Sequence, residues 1–274
     1  MAKVALSGAG GNMGRIVRVE LVKRGIDLRS AGGRSPLVPL HEGEDIMHGD
    51  LRDPGVVDRL LRDVDVLIHL AGTSLERGLP EIIENNLVAL HQVYEGARRN
   101  HVRRVVFASS NHAFGMHSVH DKLKLDAPYR PDGLYGLSKV WGEAMARMYW
   151  DKHGIEGISV RIGTAMGTPP TEFRHLSTWF GSEDLMQLII QCITVPDIGY
   201  LAVWGVSNNT RSYWDNTGAE KLGFEPKQNS EDYAREILKQ PNPLDGIAQM
   251  YQGGGFVTLD YTPREQRPEK SQEL

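Results

Sequence analysis

Lys3-Val4-Ala5-Leu6-Ser7 is a short apolar run that ends in Gly8-Ala9-Gly10-Gly11-Asn12-Met13-Gly14. A run of this length closed by glycines predicts a buried strand, and the residues from about Asn12 to Lys23 predict a helix directly after it. A strand that turns through glycines into a helix forms a cradle. The glycines permit a tight turn and close backbone approach, and a pyrophosphate can rest against the amide N–H groups at the helix start. The candidate cradle residues are Gly8, Gly11, Asn12, Met13 and Gly14. Their glycine spacing differs by one residue from the commonest dinucleotide fingerprint, so the turn takes its meaning from the βαβ pattern it opens.

That pattern continues. Asp27 to Ala31, Asp45 to His48, Val64 to Leu70, Arg104 to Ala108 and Ile158 to Ile162 predict strands, and the gaps between most of them fit helices. Pro54 stands at a helix start and Gly25 just past a helix end. Near-continuous apolar runs such as Val64 to Leu70 suit a sheet covered on both faces. The expected fold is α/β, a Rossmann-type doubly wound parallel sheet. Residues 1–163 are expected to form the dinucleotide-binding core. Residues 164–262 are expected to form a substrate-shaping lobe integrated with it, containing a helix near Asp184 to Thr194 and a strand at Tyr200 to Trp204, and residues 263–274 a flexible tail.

Composition excludes other classes. The chain has 274 residues, 40% hydrophobic and 24% charged, enough for one large globular domain. A net charge of −4 with scattered basic residues leaves no electrostatic footprint for nucleic acid. No basic amphipathic face and no apolar run long enough to span a bilayer points to a membrane. The single Cys192 excludes an internal disulfide and a thiolate zinc site, so no metal is expected. The chain begins without a charged-then-apolar leader, and the expected compartment is the cytoplasm.

The chemistry-bearing set is Tyr135-Gly136-Leu137-Ser138-Lys139, preceded by Ser109-Ser110. Spacing of four puts the Tyr135 phenol and the Lys139 ammonium on one helix face. A neighbouring positive charge would favour phenolate and lower the tyrosine pKa from about 10 towards neutrality, making Tyr135 a usable general base.

These residues resemble the extended short-chain dehydrogenase/reductases. The resemblance also rests on Asp50-Leu51 after the third strand, Leu70-Ala71-Gly72 after the fourth, and Asn86. Within that family the chain is most similar to the uronate dehydrogenases. The similarity runs through Phe107 to His112, Arg130 to Gly136, Val160 to Gly163, Arg174 to Phe180 and Val203 to Gly205. The resemblance implies oxidation of C1 of a hexuronic acid to an aldarolactone. It gives Tyr135 the proton, Lys139 the nicotinamide ribose, Ser110 the reacting oxygen and Arg174 the sugar carboxylate. Ser74, Asn111, His112 and Thr164 fall at positions that contact sugar hydroxyls, with Asn12 and Phe256 completing the pocket. Asp50, Leu51, Leu70, Ala71, Gly72, Asn86 and Ile162 join the cofactor set. Relatives of this kind assemble as dimers or larger, and Met145, Met148, Tyr149 and Trp150 are compatible with such an interface and equally with packing inside the chain.

Several points stay open in the sequence. Arg174 has an alternative as a structural ion-pair arginine, His112 as a loop histidine and Asp50 as a helix N-cap. An anion-reading arginine accepts a 6-phospho or 6-sulfo sugar as well as a uronate, and a neutral aldose fits if Arg174 points elsewhere. A nucleotide-sugar epimerase or dehydratase, or a non-catalytic nucleotide sensor, would use the same fold. Where NAD enzymes place a carboxylate against the adenosine ribose, the chain reads Ala31-Gly32-Gly33-Arg34-Ser35. Gly32 removes the repulsion of a 2′-phosphate and Arg34 with Ser35 would bind one, which favours NADP over NAD.

Overall fold

The structure, a computed structural model, describes residues 2–33, 36–244 and 246–266. Arg34, Ser35 and the tail from 267 onward lie outside the described residues. The chain runs β1 (Val4–Ser7), α1 (Asn12–Lys23), β2 (Leu28–Gly32), β3 (Asp45–His48), α2 (Pro54–Leu61) and β4 (Val66–His69). Next come α3 (Leu79–Ile82), a π-helical stretch Ile83–Val88, α4 (Ala89–Arg99), β5 (Arg104–Ser110), α5 (Leu134–His153) and β6 (Glu156–Ile162). Then follow β7 (Thr164–Ala165), α6 (His175–Thr178), β8 (Trp179–Phe180), α7 (Ser182–Thr194) and β9 (Tyr200–Gly205).

Seven strands form one parallel sheet in the order β3-β2-β1-β4-β5-β6-β9, the doubly wound topology expected from the alternation. The near-continuous apolar strands are explained by two cores, one on each face. Val4, Leu6, Val66, Ile68, Val106 and Ile158 point into the core closed by α1 and α7. Their neighbours Ala5, Leu67, Val105 and Phe107 point into the core closed by α2, α4 and α5. Each fully buried aliphatic side chain contributes about 1.5–3 kcal/mol, so the two cores together fix the strand register. β9 belongs to the same sheet, which puts the segment after residue 163 against the core it follows.

Two strands are longer than their apolar residues predict. β5 continues through Ser109 and Ser110, paired with Arg161 and Ile162. β6 begins at Glu156, whose carboxylate is held at 2.6 Å by the buried Arg104. Polar residues with internal partners carry the ladder past the hydrophobic pattern. The small β7–β8 ladder, in which Thr164 pairs with Trp179, is absent from the sequence reading because two-residue strands leave no periodic signal.

Candidate active site

The glycine turn at the carboxyl end of β1 has the expected form. Gly8 has φ +74°, and a Cβ there would lie 2.7 Å from the Ala71 amide nitrogen. A Cβ on Gly14 would lie 2.1 Å from the Gly8 carbonyl oxygen. The backbone therefore closes on Leu70-Ala71 and on the first turn of α1 as only glycine allows. Gly11 is the N-cap of α1 and no side chain caps the helix, which leaves the first-turn amides of Asn12 and Met13 open to an anion. This bare helix start behind a glycine cradle fits a dinucleotide phosphate.

Asn86 has a structural task. Its Oδ1 accepts from the Thr73 amide at 2.7 Å, and its Nδ2 donates to the Thr73 carbonyl at 3.0 Å and to Ser138 Oγ at 2.9 Å, tying the loop after β4, including Gly72, to α5. Asp50 is not the N-cap of α2. That role belongs to Asp53, which accepts from the Gly55 amide at 2.7 Å, while Asp50 binds Arg52. Leu51 packs beside the α2 core, and Ile162 ends β6. At Gly32 a Cβ would meet both the His48 imidazole and Leu37 at 2.9 Å, so the ribose loop has no space for a side chain at this position.

Ser110, at the end of β5, accepts from the His112 amide at 3.2 Å. Tyr135 and Lys139 lie one turn apart on α5, and both are buried. The helix approaches so closely because it is thinned by glycine. A Cβ on Gly136 would lie 2.2 Å from the His112 carbonyl oxygen, and one on Gly142 2.2 Å from the Phe107 ring. Glu76, from the loop after β4, caps the helix by accepting from the Leu134 amide at 2.8 Å and the Tyr135 amide at 3.0 Å. The Lys139 ammonium donates to the Ala108 carbonyl at 2.8 Å and lies 5.3 Å from the centre of the Tyr135 ring.

The expected lowering of the tyrosine pKa is not what this arrangement produces. Burial pushes Tyr135 up to about 12, a hydrogen bond with Ser110 pulls the other way, and the Asp132 charge adds to the rise. Burial pulls Lys139 down to about 8. Desolvation of both groups outweighs the attraction that their spacing alone suggests.

The turn after Ser110 and two later segments close the other side of the site. His112 Nδ1 lies 2.6 Å from Asp132 Oδ2, its ring stacks on Phe256 at 3.9 Å between centres, and it meets Tyr135 edge-on at 5.7 Å. Arg174, at the start of α6, donates from Nε and Nη2 to the Gln252 carbonyl at 3.0 and 2.8 Å and from Nη1 to Thr164 Oγ1 at 3.4 Å. With the Asn111 amide turned as its neighbours demand, its oxygen accepts from Arg174 Nη2 at 2.7 Å and its nitrogen donates to the Ile162 carbonyl at 3.1 Å. Burial holds the Arg174 guanidinium below its ordinary pKa. Among the described residues no carboxylate forms an ion pair with it, which removes the alternative of a structural ion-pair arginine.

Ser110, Asn111, His112, Tyr135, Lys139, Thr164, Arg174 and Phe256 thus converge, whereas Ser74 is exposed two residues before the helix-capping Glu76. Three residues went unseen in the sequence: Glu76, Asp132 and Gln252. Gln252 is fully buried, receives Arg174 on its carbonyl and bonds Trp214 Nε1 at 2.9 Å through its side chain. Asp132 alone had a local signal, lying three residues before Tyr135 in a Pro-Asp-Gly turn.

Residues 4–214 match the model of the NAD dependent epimerase/dehydratase family. A uronate dehydrogenase of Pseudomonas syringae pv. tomato is 39% identical over 256 residues, covering 93% of this chain and 93% of that protein. An L-arabinose 1-dehydrogenase (NAD(P)(+)) of Haloferax volcanii is 32% identical, with 84% and 98% covered. A crystal structure of a mutant uronate dehydrogenase from Agrobacterium tumefaciens complexed with NAD superposes with a TM-score of 0.89 at 39% identity, covering 94% of this chain and 97% of that one. With the glycine cradle, the seven-stranded sheet and the Ser/Tyr/Lys set in place, the chain belongs to the NAD dependent epimerase/dehydratase family.

Proposed function

We propose that this protein oxidises C1 of an aldose bearing an anion at the 6-position, a hexuronate first of all, to the aldonolactone. The observation that carries the reading is Arg174, a guanidinium set among Asn111, Thr164 and Gln252, without a carboxylate partner among the described residues and hydrogen-bonded to Asn111, the residue after Ser110. A cation removed from water with only neutral partners has capacity left for a planar anion. The 39% identical relative that bears the name uronate dehydrogenase supports the carboxylate as first reading, and a 32% identical relative that bears the name NAD-dependent glucose-6-phosphate dehydrogenase supports keeping the 6-phosphate in the test. The L-arabinose 1-dehydrogenase relative supports the neutral aldose as second reading.

In this reaction Tyr135 takes the proton of the C1 hydroxyl and Ser110 hydrogen-bonds the same oxygen. Lys139 holds the nicotinamide ribose, and the α1 start holds the pyrophosphate. An oxidised nicotinamide held there would supply the acceptor for the hydride that leaves C1. His112 and Asn111 orient the sugar hydroxyls, with Ser74 at the rim. NADP is favoured over NAD because no carboxylate opposes a 2′-phosphate at Gly32. The exposed His48 beside that position adds a hydrogen-bonding group to those of Arg34 and Ser35. The protein acts as a homo-oligomer in the cytoplasm on this reading.

Reduced-nicotinamide absorbance tests it, with NAD and NADP supplied separately against glucuronate, galacturonate, glucose 6-phosphate, 6-sulfoglucose and arabinose. Turnover with the uronates is expected. Turnover confined to arabinose would remove the anion, and no net reduction with any sugar would transfer the case to epimerisation of a nucleotide sugar.

A further inference from the structure

We propose that Asp132 is a positioning residue that fixes the tautomer of His112, so that the imidazole meets the sugar with its Nε2 lone pair as the acceptor for a hydroxyl. This rests on the reading of His112 as a sugar contact. The Asp132 side chain is completely buried, and its Oδ2 lies 2.6 Å from His112 Nδ1. A carboxylate at this distance accepts from Nδ1–H, and a neutral imidazole that donates at Nδ1 has its acceptor at Nε2. Oδ1 has no hydrogen-bond partner among the described residues, so no other donor competes for the carboxylate.

The carboxylate is also unable to turn away. A Cβ on Gly115 would lie 1.9 Å from Oδ2, one on Gly253 2.0 Å from it, and one on Gly136 3.1 Å from Oδ1. Three separate segments thus give up their side chains to admit this one group. The ring is fixed as well, stacked on Phe256 at 3.9 Å and set edge-on to Tyr135 at 5.7 Å. A buried charge maintained only for stability would be as well served by an apolar group of the same volume. Here the carboxylate touches a side chain that contacts both Phe256 and Tyr135.

The test uses the ¹⁵N resonances of the His112 ring in the whole protein, with the sugar KM, kcat and cofactor Kd, for the wild type and Asp132→Asn. The proposal expects Nδ1–H in the wild type without any sugar present. In the variant the amide either accepts from Nδ1–H as the carboxylate did, leaving the tautomer and KM unchanged, or donates to Nδ1 and moves the proton to Nε2, which the ring resonances distinguish. With the proton on Nε2 the sugar KM should rise about tenfold or more, as expected when an acceptor becomes a second donor facing a hydroxyl, with the cofactor Kd within about twofold. A wild-type ring protonated at Nε2 would overturn the proposal, and this measurement needs no variant. A tautomer change with unaltered KM would overturn it too, because His112 would then not read the sugar. Failure of every sugar to be oxidised would instead remove the proposed reaction itself, so the two failures are distinguishable.

Discussion

Tyr135 carries the proton chemistry of the proposed reaction, yet its phenol is pushed up to about 12 by burial. A base with so high a pKa is present as phenolate in proportion to hydroxide. Turnover should therefore rise as the pH increases from neutral into the alkaline range, and a flat profile there would show a base already ionised. Tyr135→Phe should lose about a hundredfold or more in kcat while nearly retaining cofactor affinity, measured by initial rates and cofactor titration. At Arg174 the argument concerns binding. Substituting Arg174→Ala removes a charge-assisted contact, normally about 1.5–3 kcal/mol, so the KM for a uronate should rise some ten- to hundredfold while that for arabinose changes little. Equal changes for both sugars would make the residue structural, an outcome that its bonds to the Gln252 carbonyl render concrete.

At the scale of elements, the site depends on how closely α5 is pressed against β5 and on what holds its first turn. Gly133 is extended there, and a Cβ on it would lie 2.3 Å from a Glu76 carboxylate oxygen, so the cap is built to fit. Removing it with Glu76→Ala should cost about 1 kcal/mol in denaturant unfolding, the ordinary value of a lost N-cap. The variant should also lower kcat, since Tyr135 lies in the turn released. The ribose loop after β2 yields a second test. Gly32 has no space for a carboxylate, but a Cβ on Gly33 meets nothing within 4 Å. Gly33→Asp should shift the NADP/NAD ratio of kcat/KM towards NAD by repelling a 2′-phosphate, and an unchanged ratio would show that the loop does not reach the ribose.

These elements also show what a sequence reveals. Strands with apolar residues on both faces, the glycine cradle and the Tyr135/Lys139 spacing were legible because each is a local pattern. Glu76 and Gln252 were not, because their roles come from partners 58 and 78 residues away, and for Asp132 the motif was visible but its role, set by His112 20 residues before it, was not. The pKa of Tyr135 was misread for the same reason: spacing along a helix reports which charges are near and says nothing of the burial around them.

Outside the two cores that cover the sheet, an apolar stripe is exposed among the described residues. Leu137, Trp141 and Met148 are exposed on one face of α5, beside the exposed Ile83 and Val88 of the π-helical stretch. Of the residues the sequence left compatible with either an interface or internal packing, Met145 and Tyr149 are buried in the core shared with α4. The remaining stripe suits a second copy of the chain. Light scattering at micromolar concentration should give the mass of a dimer or larger, and Trp141→Glu should reduce it to that of one chain. A wild-type mass of one chain would remove the interface. The last pieces of the pocket come late in the chain, since Gln252 receives Arg174 and Phe256 supports His112. The last strand of the sheet ends at Gly205, well before Gln252 and Phe256. Every strand of the sheet thus precedes, along the chain, the residues that close the proposed sugar pocket, so a substitution between Gly205 and Phe256 is able to reshape the pocket without touching a strand.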